Sequence, residues 1–125
     1  MSIYDGWQAE RHSAWIIDTD HLAEPGDRDD AGRIGPDDAP ADLVRRLRLK
    51  SQPGQTFRLY DDDGELYYTG RVLFEPRDGE PVTIETADEE DAFGPLWDFG
   101  TPNAGAVDLR YFGTSRDGRR GWQSL

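Results

Sequence analysis

The segment Asp27-Arg28-Asp29-Asp30-Ala31-Gly32-Arg33-Ile34-Gly35-Pro36-Asp37-Asp38 is spaced like a twelve-residue calcium loop. Acids hold the first, third and twelfth places, and glycine holds the sixth, where such a loop bends sharply. Asp27, Asp29 and Asp38 are therefore the candidate metal ligands, with calcium as the ion. Two features count against them. Ala31 brings no oxygen to the fifth place, and Asp38 is shorter than the glutamate that usually closes the loop. A solvated acidic loop is the simpler reading. His12 and His21 are the two side chains that change charge near neutral pH without a large shift. His21 follows Asp18-Thr19-Asp20 and could join a carboxylate at a metal. It fits equally well as a strand-end residue.

Other chemistry is poorly supplied. The chain has no cysteine, which excludes a disulfide, a cysteine–zinc site and a thiol nucleophile. No Gly-x-Ser-x-Gly elbow, phosphate-binding loop or His-Glu-x-x-His motif is present. With 26 acids, carboxylate pairs for a hydrolase are easy to find, and that abundance removes their meaning. A third class of candidates is recognition. Asp27, Asp29, Asp30, Asp61, Asp62 and Asp63 could attract a basic protein, and Phe93 and Trp97 could anchor it. Ordinary loop solvation and core packing are the plainer roles for the same residues.

These residues need elements to hold them. Ser13 to Ile17 reads as a short buried strand ending at Asp18-Thr19-Asp20. Residues 18–42 carry nine acids, two arginines and several Gly and Pro residues, and read as a loop. A helix is expected over Pro40 to Lys50, with Asp38 as a candidate N-cap and Leu43, Val44 and Leu47 on one stripe. Phe57 to Phe74 reads as a hairpin turning at Asp61-Asp62-Asp63-Gly64. A two-residue turn pairs Leu59 with Tyr68, and a type I turn closed by a left-handed Gly64 pairs Leu59 with Tyr67. Val82 to Thr86 reads as a strand. Phe93 to Gly100 is an aromatic island with a short helical turn around Pro95 to Phe99, and Thr101 to Gly105 reads as a further turn. Val107–Phe112 and Arg119–Leu125 form a last hairpin. The expected fold is α+β: a curved, mostly antiparallel sheet of five or six strands with one short helix packed on it and a long acidic loop. Residues 1–12 are expected to be an extension and residues 13–125 a single domain.

Charge narrows the partners. Acids outnumber bases 26 to 14, giving a net charge of −12. That argues against direct nucleic-acid binding. No apolar run is long enough to span a membrane, and the N-terminus lacks the pattern of a secretory signal, so a cytoplasmic location is expected. The charge is uneven: residues 43–58 are +5 and residues 109–125 are +3. Leu, Ile, Val and Phe total only 24 of 125 residues, and four Trp and five Tyr make up part of the shortfall.

Phe57-Arg58-Leu59-Tyr60-Asp61-Asp62-Asp63-Gly64-Glu65-Leu66-Tyr67-Tyr68-Thr69-Gly70-Arg71 and Phe93-Gly94-Pro95-Leu96-Trp97-Asp98-Phe99-Gly100-Thr101-Pro102-Asn103-Ala104-Gly105 resemble segments of small acidic proteins from actinobacterial genomes, plasmids and phages. Trp15 to Leu22 resembles the opening of such proteins. The 13 Arg to 1 Lys bias fits a GC-rich genome, and it fits a halophile too. The resemblance implies a mobile-element accessory context and supplies no active site. The leading expectation is a non-enzymatic protein that binds a basic protein surface, as a nucleic-acid mimic in the extreme case. A divalent-cation or small-ligand module built on residues 18–38 is the alternative, and a small acid-pair hydrolase is third.

Overall fold

The computed structural model describes residues 11–26, 28–49, 54–114 and 120–125. Six strands form one open antiparallel sheet: β1 (Ser13–Asp20), β2 (Ile34–Gly35), β3 (Gln55–Tyr60), β4 (Leu66–Phe74), β5 (Asp108–Thr114) and β6 (Arg120–Ser124), in the order β2-β1-β4-β3-β5-β6. Helix α1 (Ala41–Leu49) packs on one face. Three short helical pieces, α2 (Glu89–Ala92), a π-helical turn (Pro95–Gly100) and α3 (Thr101–Ala104), cover the other. The fold is α+β.

Alternation along the strands explains the two layers. Trp15, Ile17, Phe57, Leu59, Tyr68, Val72, Leu109 and Tyr111 project to one side and bury Leu96, Phe99 and Ala106 beneath the helical pieces. Ala14, Ile16 and Leu73 project to the other side and receive Leu43 and Leu47 of α1. Each such buried aliphatic side chain contributes roughly 1.5–3 kcal/mol relative to exposure. α1 starts after Pro40 and carries Asp42 in its first turn and Arg46 and Arg48 in its last, as the helix dipole favours.

The hairpin uses parts of both candidate registers. Gly64 takes the left-handed conformation (φ 80°), and Asp61 N–H donates to Glu65 O at 3.0 Å, which is the type I closure. Tyr60 then pairs with Leu66, yet Leu59 pairs with Tyr68, because Tyr67 is an extra residue bulged from β4. The bulge buries Tyr68 and leaves Tyr67 half-buried. A second bulge, at Asp18, lets β1 run on to Asp20 where the sequence suggested an end at Ile17.

Three elements differ from expectation. Val82 to Thr86 is a turn and not a strand: Thr83 N–H donates to Thr86 Oγ1 at 2.8 Å, while Ala87 N–H donates to Thr83 O at 2.8 Å. Local hydroxyl bonding outcompetes β-propensity where no neighbouring strand is offered. Ile34-Gly35, inside the expected loop, is an edge strand on Trp15 and Ile16. Thr101 to Ala104 is helical and not a simple turn, ending where Gly105 (φ 74°) donates its N–H to Thr101 O.

Candidate functional site

The site begins at Arg11 and His12, which the sequence assigned to an extension. Both are fastened to the fold across some eighty residues of chain. The Asp91 carboxylate, only 4% exposed, accepts through one oxygen from Ser13 Oγ at 2.7 Å, His12 N–H at 3.1 Å and Arg11 Nε at 3.2 Å. Arg11 Nη1 reaches the Asp98 carboxylate at 2.9 Å, and Trp15 Nε1 donates to Asp98 Oδ2 at 2.9 Å. Burial opposes the charge of Arg11, and the hydrogen bonds and charges of Asp98 and Asp91 outweigh that, so its pKa lies above the ordinary value. The third nitrogen, Nη2, is buried without a hydrogen-bond partner among the described residues.

Arg11, Trp15 and Asp98 of this network line a cleft of about 530 Å³, which is also lined by Gly35, Asp37, Asp38, Glu90, Trp97 and Phe99. The π-helical turn sets its far wall: Thr101 N–H reaches back five residues to Leu96 O, and Pro95 opens the turn where its missing N–H is harmless. Trp97 is 47% exposed and lies flat on Phe93, with ring centroids 4.8 Å apart and planes 9° apart. Gly35 admits the Trp15 ring, since a Cβ there would stand 2.2 Å from Trp15 Cζ2. Arg33 closes one side, over the Phe99 ring at 5.5 Å. Four carboxylates thus face two guanidiniums, and Arg11 is already spent on Asp91 and Asp98. Asp37, Asp38 and Glu90 have no ion pair among the described residues.

The sequence-derived candidates divide between two places. Phe93, Trp97 and Asp38 meet around this cleft, near the Ser13 end of β1. Asp29, Asp30, Asp61, Asp62 and Asp63 lie outside the cleft's lining: Asp30 N–H donates to Asp20 Oδ2 in the loop after β1, and Asp61 to Asp63 form the β3–β4 turn. Asp27 lies outside the described residues. Several of the acids outside the cleft are occupied. Asp29 Oδ1 accepts from Ala31 N–H at 2.8 Å, and Asp30 faces Arg28 at 3.4 Å, Arg33 at 3.8 Å and Asn103 Nδ2 at 3.1 Å. Asp20 accepts from the backbone N–H groups of Leu22, Ala23 and Asp30 and so shapes the loop. Among the described residues, Asp61, Asp62 and Asp63 are the one group of three potential metal ligands, each offering an oxygen within 4.8 Å of the others. His21 bonds Thr69 at 2.8 Å, and His12 bonds Glu75 at 2.9 Å.

Sequence reasoning missed Arg11, Asp91, Asp98, Asp37 and Glu90. None lies in a motif, and their partners are remote in sequence. The one available signal was Asp98 itself, an acid inside the aromatic island. No helix among the described residues is long and apolar enough to cross a membrane. No family model matches the chain, and neither the curated proteins nor the solved structures give a significant match.

Proposed function

We propose that this chain is a non-enzymatic docking protein that takes a basic segment of a partner protein into the Trp97 cleft. The observation that supports this reading is a half-exposed Trp97 backed by Phe93 and ringed by Asp37, Asp38 and Glu90, none of which has a cation of its own among the described residues. A cation laid on an exposed indole gains roughly 0.5–1 kcal/mol. The unpaired carboxylates add attraction, hasten encounter and make it salt-sensitive. The acids are divided between two places, so the reading concerns a cleft and not a phosphate-like stripe over the whole surface.

The test is fluorescence anisotropy with labelled oligo-arginine and oligo-lysine peptides. Binding is expected at low ionic strength, with loss on raising salt. Trp97→Ala is expected to weaken it about two- to fivefold, as ~0.5–1 kcal/mol dictates, with the parent circular dichroism kept. Equal anisotropy for Trp97→Ala and the parent protein would remove the cleft from the reading. No binding of either peptide would remove the reading itself.

A further inference from the structure

The two basic stretches of this acidic chain meet on one sheet face. α1 covers that face chiefly over β1 and β4, through Leu43 and Leu47. Over β3, β5 and β6 the face carries Arg58, Arg110 and Arg120 between Tyr60, Phe112 and Trp122. The register sets Arg58 directly opposite Arg110, and Phe112 opposite Trp122. Each ring is covered by a guanidinium: Arg58 over Trp122 at 4.0 Å, Arg110 over Tyr60 at 4.2 Å and Arg120 over Phe112 at 5.1 Å. Like charges directly opposite each other destabilise a sheet. Arg110 is relieved by Asp108 at 2.8 Å, whereas Arg58 and Arg120 have no acid partner among the described residues. Arg58 Nε is buried with no hydrogen-bond partner among the described residues.

A matching excess of negative charge sits at the β3–β4 turn. Asp61, Asp62 and Asp63 crowd their carboxylates within 4.8 Å and form no ion pair among the described residues. Asp61 is turned partly inward, accepting from Asp63 N–H at 2.9 Å and Glu65 N–H at 2.7 Å. Asp62 and Asp63 stay exposed. Among the described residues no ion pair joins the turn to the arginines of its own chain.

We propose that the Asp61–Asp63 turn of one copy docks on the Arg58–Arg120 face of a second copy, giving head-to-tail self-association. Each surface carries like charges without an ion pair among the described residues, Asp61 to Asp63 on one side and Arg58 and Arg120 on the other, and their union pairs both. Stacking on Trp122 and Phe112 holds the guanidiniums of Arg58 and Arg120 flat, a geometry in which terminal N–H groups can meet carboxylates. A nucleic-acid strand suits the face less well, because its bases would find every ring already covered by an arginine.

Sedimentation velocity on the full chain tests this. Between about 10 μM and 1 mM, in about 0.1 M salt, the sedimentation coefficient is expected to rise, and the rise is expected to vanish at about 0.5 M salt, where screening is short-ranged. The double variant Arg58→Gln/Arg120→Gln and the double variant Asp62→Asn/Asp63→Asn should each lose the rise while keeping the parent circular dichroism. Mixed in equal amounts they should form a dimer and stop there, since one intact turn and one intact face remain. A flat profile for the parent protein, a rise that survives in either variant, no dimer in the mixture, or retention of a single-stranded oligonucleotide by the arginine face would each overturn the proposal.

Discussion

Replacing Asp91 by alanine removes three hydrogen bonds at one buried oxygen. The donors are Ser13 Oγ, His12 N–H and Arg11 Nε, at 2.7, 3.1 and 3.2 Å. Ser13 is fully buried, so its hydroxyl would have no water to turn to. Arg11 would keep Asp98 but lose half of its neutralisation, with 11% of its side chain exposed. Hydrogen bonds to a charged group contribute about 1.5–3 kcal/mol each, and breaking a buried pair costs about 3–5 kcal/mol. The three bonds share one carboxylate and do not add, so the expected loss is about 3–5 kcal/mol. Asp91→Asn keeps an acceptor for Ser13 and His12 and forfeits the charge, and about half that loss is expected. Urea denaturation gives the answer through the midpoint at unchanged slope. The double variant Arg11→Met/Asp91→Ala should recover part of the loss, because no guanidinium is left unpaired. A loss below about 0.5 kcal/mol for Asp91→Ala would refute the reasoning, since that is the range of an ordinary surface substitution.

Three further outcomes are expected. Gly70→Ala would place a Cβ 2.1 Å from Ile16 O and 2.6 Å from Phe57 Cζ, forcing β1 and β4 apart, and a drop of about 3 kcal/mol or more in unfolding free energy is expected. Gly94→Ala would place a Cβ 2.4 Å from Arg11 Nη2, at the far end of a long side chain that can shift, so a smaller loss of about 1–2 kcal/mol is expected, largely absent in an Arg11→Met background when both are melted in parallel. Burial raises the Tyr111 phenol well above its ordinary 10.0, and burial likewise raises Tyr68. Stability from a raised tyrosine is whole below the unfolded value and is lost as pH rises through the folded one, so melting temperature should hold to about pH 9.5 and fall beyond about pH 10, less steeply in Tyr111→Phe.

Much of the fold could be read from the chain because its causes are local. The α1 stripe of Leu43 and Leu47, the left-handed Gly64 at the hairpin turn, the buried apolar run of β1 and the alternation at the start of β3 each depend on residues within a few positions of one another. The α+β class follows from their order. The same local reasoning misread Val82–Thr86, because β-branching makes a strand only when an edge is free to receive it. The site was scarcely legible. Asp98 reaches Trp15 across 83 residues, and Asp91 reaches Ser13 across 78. Arg58 meets Arg110 and Trp122 only because β3 accepts β5 and β5 accepts β6 in one register, and the Tyr67 bulge decides which tyrosine is buried. Composition fixed how much charge the molecule must carry. Strand order and register decided where it is neutralised and where it is left unpaired, since Coulomb and contact energies depend on distances that chain neighbours do not set.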